Sequence, residues 1–391
     1  MNMGYRKNYK TYYNLAFSMG TPTAFVLETP FQLLCAIEAI KEFQIEHYLV
    51  VVPYFENSFR WSQLELMLKE LNLRHKAIQI TENSHNDLFK QTGIFAENIT
   101  EKFPRIMTGG YYSLIGRALC TLYSAKDSVC VYLDDGTATI AMLNGLETFL
   151  EYDKPRYWSD RKKWYRESYK PYMDVVSRIS HCWKEVGLND YNFLFTIYSQ
   201  RKNNNFVIYS NTFAHFRNTL QHSSINNTIW VLGTVSSAMS GTLQISEQVF
   251  EGVLWSKLAN LRKKYPKYEI LFIPHVDDRN VNVQHFCEIL GIRYERLPYC
   301  VEYYAYYKQQ VPEILCGFGS TALSTFRIIF PKMNIVDWVI SRKGINMRVS
   351  SMVSATFNQM GIEIQCTQIE GTPLMTRLKR WIKSVLRLIL K

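Results

Sequence analysis

The chain has 391 residues, 47% of them apolar and 20% charged, with a net charge of +11. That composition excludes a disordered polymer and supplies core material for two domains. No stretch of roughly eighteen apolar residues occurs, which excludes a bilayer-spanning helix, and the polar segment Met1 to Gly20 lacks the apolar centre of a secretory leader.

After an arm at 1–20 expected to be loose, Thr23–Leu27 reads as a buried strand. Thr29-Pro30 breaks it, and Gln32–Phe43 has helical periodicity. Tyr48–Val52 is a second β-rich run, Ser58–Leu71 a helix and Lys76–Ile80 a third strand. Tyr111–Ser124 reads as helix, Ser128–Leu133 as a strand stopped by Asp134-Asp135-Gly136, and Thr137–Leu150 as helix. Strand and helix alternate as in a parallel, doubly wound sheet. Residues 151–203 are charged, Tyr/Trp-rich and irregular, and the polar run Arg201 to Asn205 marks a domain boundary.

The pattern then restarts. Phe206–Tyr209 and Thr228–Leu232 read as strands, Gln244–Lys264 as an amphipathic helix, and Glu269–Ile273 as a strand ending at Pro274-His275. Asn280–Leu290 is helical and Ile314–Cys316 a short strand. The loop Gly317 to Thr321 opens a helix through Phe330, and Met333–Val339 is a further strand. The expected domains are a flexible arm at 1–20, a Rossmann-like unit at 21–203, a second at 204–371, and a terminal helix at 372–391. That helix opens with Thr372 at N-cap and Pro373 at N1. Leu374, Leu378, Trp381, Ile382, Val385 and Ile389 line one face, and six of the last fifteen residues are cationic. This is the composition of an interfacial anchor on an anionic membrane. The cations cluster in that helix rather than beside stacked aromatics, which argues against a nucleic-acid partner.

The eight cysteines form no C-x-x-C pair, so a zinc ribbon or redox dithiol is not expected. Ligands of doubly wound sheets bind at the carboxyl ends of the strands, and four short motifs fall there. In Asp134-Asp135-Gly136 one carboxylate can serve as general base while the other holds the loop, and Gly136 permits an unusual φ. His275 can bind a phosphate and protonate it on departure. Gly317-x-Gly319-Ser320-Thr321 offers main-chain N–H groups and two hydroxyls at a helix N-terminus, an anion pocket. Its spacing also fits a dinucleotide fingerprint, with Asp337 nearest the ribose position; a monophosphate is the preferred ligand. Thr29 and Gln32 can meet sugar hydroxyls, although a helix cap accounts for Thr29 and Pro30. No D-x-D occurs, so the usual metal clamp on a nucleoside diphosphate is missing.

Taken in this order, Asp134-Asp135-Gly136, His275 and Ser320-Thr321 resemble the motifs of bacterial sialyltransferases of the lipooligosaccharide sialyltransferase and polysialyltransferase type. Those carry an acidic pair with Gly, a His-Pro motif and a Ser/Ser or Ser/Thr motif. Thr29-Pro30-Phe31-Gln32 looks like their first loop, and the likeness spans roughly residues 22–340 in pattern. It departs at Val276, which follows His275 where the family has Pro. The resemblance implies a GT-B architecture, two Rossmann-like domains facing across a cleft. It implies an inverting, metal-independent transfer of sialic acid or a related nonulosonic acid from a CMP donor to a cell-surface glycan. By carry-over Asp135 is the base, supported by Asp134, and His275 the acid. Ser320, Thr321, Gly319, Gly233 and Thr234 would hold the donor, and Gln32, Thr29 and Gly136 the acceptor. No cofactor or metal is expected, and the place of action is the cytoplasmic face of the membrane. Transfer from another nucleotide-activated donor, and a peripheral membrane scaffold, are the alternatives.

Overall fold

The computed structural model describes residues 3–56, 58–80, 99–111, 113–145, 166, 170–188, 192–199, 206–220, 224–342 and 348–369. The chain forms two compact units, Met1–Gln221 with Pro298–Tyr304, and His222–Leu297 with Ala305–Lys391. The division falls at 221/222 rather than 203/204, because one more strand and helix, Val207–Ser210 and Ala214–Leu220, belong to the first unit. A short stretch from beyond residue 297 returns to it: Tyr299 and Tyr303 donate hydroxyl hydrogen bonds to Glu70.

The first unit begins with helix α1 (Met3–Phe17) where a loose arm was expected. Phe17 stacks on Tyr209 with ring centroids 5.1 Å apart and meets Phe193 edge-on at 5.7 Å. The apolar spacing of Tyr13 and Phe17 is hidden among Lys, Asn and Tyr, so only docking reveals it. Strands β1 (Thr23–Val26), β2 (Tyr48–Tyr54), β3 (His75–Gln79), β4 (Phe103–Thr108), β5 (Ser124–Leu133), β6 (Phe193–Thr196) and β7 (Val207–Ser210) follow. Among the described residues they form a sheet in the order β3-β2-β1-β4-β5-β6-β7, every neighbouring pair parallel. The residues of β1 are all buried, as a strand covered on both faces requires. Helices α2 (Pro30–Glu42), α3 (Phe59–Glu70), α4 (Leu114–Tyr123), α5 (Thr137–Leu143), α6 (Lys170–Glu185) and α7 (Ala214–Leu220) connect them.

Strands β4 and β6 and helix α6 were not expected. Pro104 and Arg105 disguise β4. Proline is tolerated there because the register shifts between Phe103 and Arg105. In α6 the buried Val175 and Ile179 are spaced one turn apart within a charged, aromatic segment.

In the second unit β8 (Ser224–Leu232), β9 (Glu269–Ile273), β10 (Arg293–Tyr294), β11 (Gln310–Gly317), β12 (Asn334–Arg342) and β13 (Glu363–Ile369) are again all parallel, in the order β10-β9-β8-β11-β12-β13. Its helices are α8 (Ser236–Leu243), α9 (Glu247–Lys264), α10 (Val281–Ile289), α11 (Val301–Lys308, whose start lies in the first unit), α12 (Thr321–Ile329) and α13 (Arg348–Gln359). The helix expected from Gln244 begins at Glu247, and α8 precedes it unexpectedly: Gln244 turns left-handed (φ 52°) and ends α8. Each sheet reverses strand order once, between β1 and β4 and between β8 and β11. These are the topological switch points at which doubly wound sheets take ligands. The terminal helix at 372–391 lies outside the described residues. Among the described residues, no helix is long and apolar enough to cross a membrane.

Candidate active site

In the first unit the switch point lies between the exits of β1 and β4, with the exit of β5 alongside. Thr29 caps α2 by accepting from the Gln32 N–H at 3.2 Å, and Pro30 occupies N1. This cap accounts for Thr29, an expected acceptor contact. Gln32, the other one, is only 2% exposed. Its Oε1 accepts from the Glu28 N–H at 2.7 Å, and its Nε2 donates to Asp135 Oδ1 at 2.7 Å. The amide thus serves the protein's own groups. At the exit of β4, a Cβ on Gly109 would stand 2.3 Å from the Gln32 side chain. Glycine is required there because Gln32 fills the space.

The two aspartates diverge after β5. Asp134 is fully buried. It accepts from the Thr196 hydroxyl and from the Ile197 N–H at 2.8 Å, and so fastens the exits of β5 and β6. Burial pushes its carboxyl up to about 7, against the pull of those hydrogen bonds. Asp135 is half-buried; its N–H donates to Thr139 Oγ1 at 2.8 Å. Burial raises its carboxyl above the usual range, while Gln32 and the Arg60 guanidinium draw it back. Its Oδ2 accepts no hydrogen bond from the described residues. Gly136 has φ 65° and ψ −141°, a conformation open to glycine, and caps α5.

Glu28 was not anticipated. It follows β1, and its Oε1 is shut off from solvent without a hydrogen bond, close against Gly110 and Gly116. Burial lifts the carboxyl to about 7; Ser113 and Arg60 oppose the rise and the charge of Asp135 adds to it. An acidic residue between an apolar strand and a Thr-Pro helix start is the signal that could have singled it out.

In the second unit the switch point lies between the exits of β8 and β11. Gly233 and Thr234 follow β8; the Gly233 N–H donates to the Ile273 carbonyl at 2.8 Å. Gly319, with φ 63°, and Ser320 follow β11. The expected donor residues therefore flank one switch point. Ser320 occupies the N-cap of α12 without bonding the helix through its side chain, and neither its hydroxyl nor that of Thr321 bonds a described residue. Asp337, weighed as a ribose ligand, is 1% exposed and accepts from the Gly319 N–H at 2.6 Å. One N–H of the expected anion pocket is thus already occupied. Burial raises Asp337 to about 6.

His275 follows β9, beside β8, with its side chain 40% exposed. Its Nδ1 accepts from the Asp277 N–H at 3.2 Å. In the neutral ring the proton then sits on Nε2, which can donate it. Asp278 reaches back to accept from the Ser236 N–H at 3.2 Å, which anchors the loop.

No family model and no curated protein matches the chain. Among solved structures it is similar to the GT-B domain of a sialyltransferase from Photobacterium damselae. The identity is 12% and the TM-score 0.41, over 89% of this chain and 100% of that one. It is similar to a UDP-GlcNAc 2-epimerase from Neisseria meningitidis bound to UDP-GlcNAc, at 10% identity and a TM-score of 0.44, over 94% and 93% of the two chains. A UDP co-structure of S. aureus MnaA has 12% identity and a TM-score of 0.45, over 94% of this chain and 88% of that one. Identities and TM-scores at this level assign neither donor nor acceptor. Two tandem sheets of one doubly wound order are what a GT-B-like α/β fold consists of, and the chain has that fold class.

Proposed function

We propose that the chain is an inverting, metal-independent glycosyltransferase that moves sialic acid, or a related nonulosonic acid, from its CMP donor to a glycan hydroxyl. The observation that carries this reading is Asp135: one oxygen is tied to Gln32, the other accepts from none of the described residues, and the whole stands at a strand exit beside a switch point. That is the disposition of a general base.

In the reaction the acceptor hydroxyl loses its proton to Asp135 Oδ2 and attacks the anomeric carbon. The bond from that carbon to the CMP phosphate oxygen breaks with inversion, through an oxocarbenium-like transition state. His275 Nε2–H donates to the departing phosphate. The Ser320 and Thr321 hydroxyls and the N–H groups opening α12 stabilise its charge. Gly233 and Thr234 complete the donor side. A monophosphate leaving group needs no diphosphate metal clamp. The basic, Trp-bearing segment 372–391 holds the enzyme to the cytoplasmic face of an anionic membrane, near its lipooligosaccharide or capsular acceptor.

The test combines binding and turnover. CMP should raise the melting temperature while UDP, GDP and CDP do not. CMP release from CMP-N-acetylneuraminic acid should survive EDTA. Asp135→Ala and His275→Ala should each lower transfer by about 10²–10⁴-fold with melting temperature retained. Stabilisation by UDP and not CMP would replace the donor; full activity in Asp135→Ala would remove the base.

A further inference from the structure

We infer that Gln32 is the positioning residue of the base: the Glu28 main chain locks its amide in one orientation, and that orientation makes Asp135 Oδ2 the reacting oxygen. The inference rests on the reading of Asp135 given above and adds a residue and an atom to it.

A main-chain N–H only donates, so the Gln32 atom facing Glu28 at 2.7 Å has to be the amide oxygen. The amide nitrogen is then the atom facing Asp135 Oδ1 at 2.7 Å, and a flipped amide would set donor against donor. The same residue is held at its backbone by the Thr29 hydroxyl, at 3.2 Å. Gly109 leaves room for the side chain and closes against it. Asp135 is held in turn at its own N–H by Thr139. Three strand exits, those of β1, β4 and β5, therefore meet on one buried amide. Oδ1 is spent on Gln32, and Oδ2 remains for the acceptor proton.

The tether also sets the charge state. The charged group acting on Asp135 is Arg60 on α3, while the charge of Asp135 itself acts on two neighbouring carboxyls, Glu28 beyond β1 and Asp134 on the same loop. Burial opposes the ionisation of Asp135; Gln32 and Arg60 favour it. Removing the Gln32 donor leaves Arg60 as the one favourable group among these, so the carboxyl should hold its proton to higher pH.

The experiment is a titration of the full chain labelled with ¹³Cγ-aspartate, using Asp135→Asn to assign the Asp135 signal. In Gln32→Met the Asp135 midpoint should rise by about one unit. In the near-isosteric Gln32→Glu it should rise further, because two carboxyls then share a proton across the same gap. This readout needs no donor. In turnover with CMP-N-acetylneuraminic acid, the acid limb of kcat/KM should move up in both variants. With both variants, kcat should fall about 10–100-fold and KM for the donor should change less than about threefold. If Asp135→Asn is inactive and both Gln32 variants leave the Asp135 midpoint unmoved, the positioning role is overturned while the base stands. If the midpoint moves but Asp135→Asn still transfers sugar, the tether stands and the base assignment falls.

Discussion

Asp134 and Asp135 are neighbours in sequence and do different work because a strand exit sends consecutive side chains opposite ways. Asp134 uses both oxygens as acceptors within the protein. Asn there would turn an NH₂ toward a main-chain N–H or leave a donor unpaired. Asp134→Asn should cost about 1–3 kcal/mol, measured by urea denaturation. Gly109 is a sharper case. Gly109→Ala puts a methyl where the Gln32 side chain lies, which forces one or the other to move. The expected loss is about 1–3 kcal/mol together with reduced turnover; unaltered stability and activity in this variant would mean that the space is not filled as described. Glu28, the third member of this group, has a signal in sequence only as an acidic residue at a strand end. That its Oε1 lies sealed against Gly110 and Gly116 comes from packing.

At the scale of elements, α1 shows how a polar-looking segment becomes part of a domain. Arg105 is fully buried on β4 and donates to Thr23 Oγ1 and to the carbonyls of Ala16, Ser18 and Thr21, at 2.7–3.1 Å. Burial depresses the guanidinium to about 10, so it still carries its charge at neutral pH. A helix ends with carbonyls that lack internal partners, and here a cation from the sheet answers the one at Ala16 and two just beyond α1. Arg105→Met keeps the volume and strands those acceptors. It should cost about 3 kcal/mol or more and release α1, seen as amide exchange within residues 9–17. Sequence patterning missed both partners for one reason. An arginine inside a strand and a helix without clean periodicity each look like surface until they are paired.

Over the whole molecule, several buried carboxyls set a pH dependence. Glu28, Asp134 and Glu302 are each raised to about 7, in every case chiefly by burial. Their ordinary values are 4.5, 3.8 and 4.5. Between those values and 7 the folded chain holds protons that the unfolded chain has released. Stability therefore falls as pH rises through that window and levels off above it. The denaturation midpoint should be higher at pH 5.5 than at pH 7.5, and Glu302→Gln should reduce the difference. A midpoint that climbs steadily across this range would show that paired surface carboxylates, not these buried ones, govern stability.

Taken alone, the sequence determined the alternation of strands and helices, the existence of two α/β units, and the fact that Asp134-Asp135-Gly136, His275 and Ser320-Thr321 stand at strand exits. Those properties follow from local periodicity and from breakers such as Gly136, which act over a few residues. Tertiary structure alone decided the strand order, and with it which exits adjoin a switch point. It also decided that Gln32 meets Asp135 across 103 positions of chain and that α1 docks on β4. A hydrophobic pattern says which face of an element is buried, not against which partner. Partners are chosen by packing and hydrogen bonding among all the elements at once, and the Gln32 amide between Glu28 and Asp135 is such a choice.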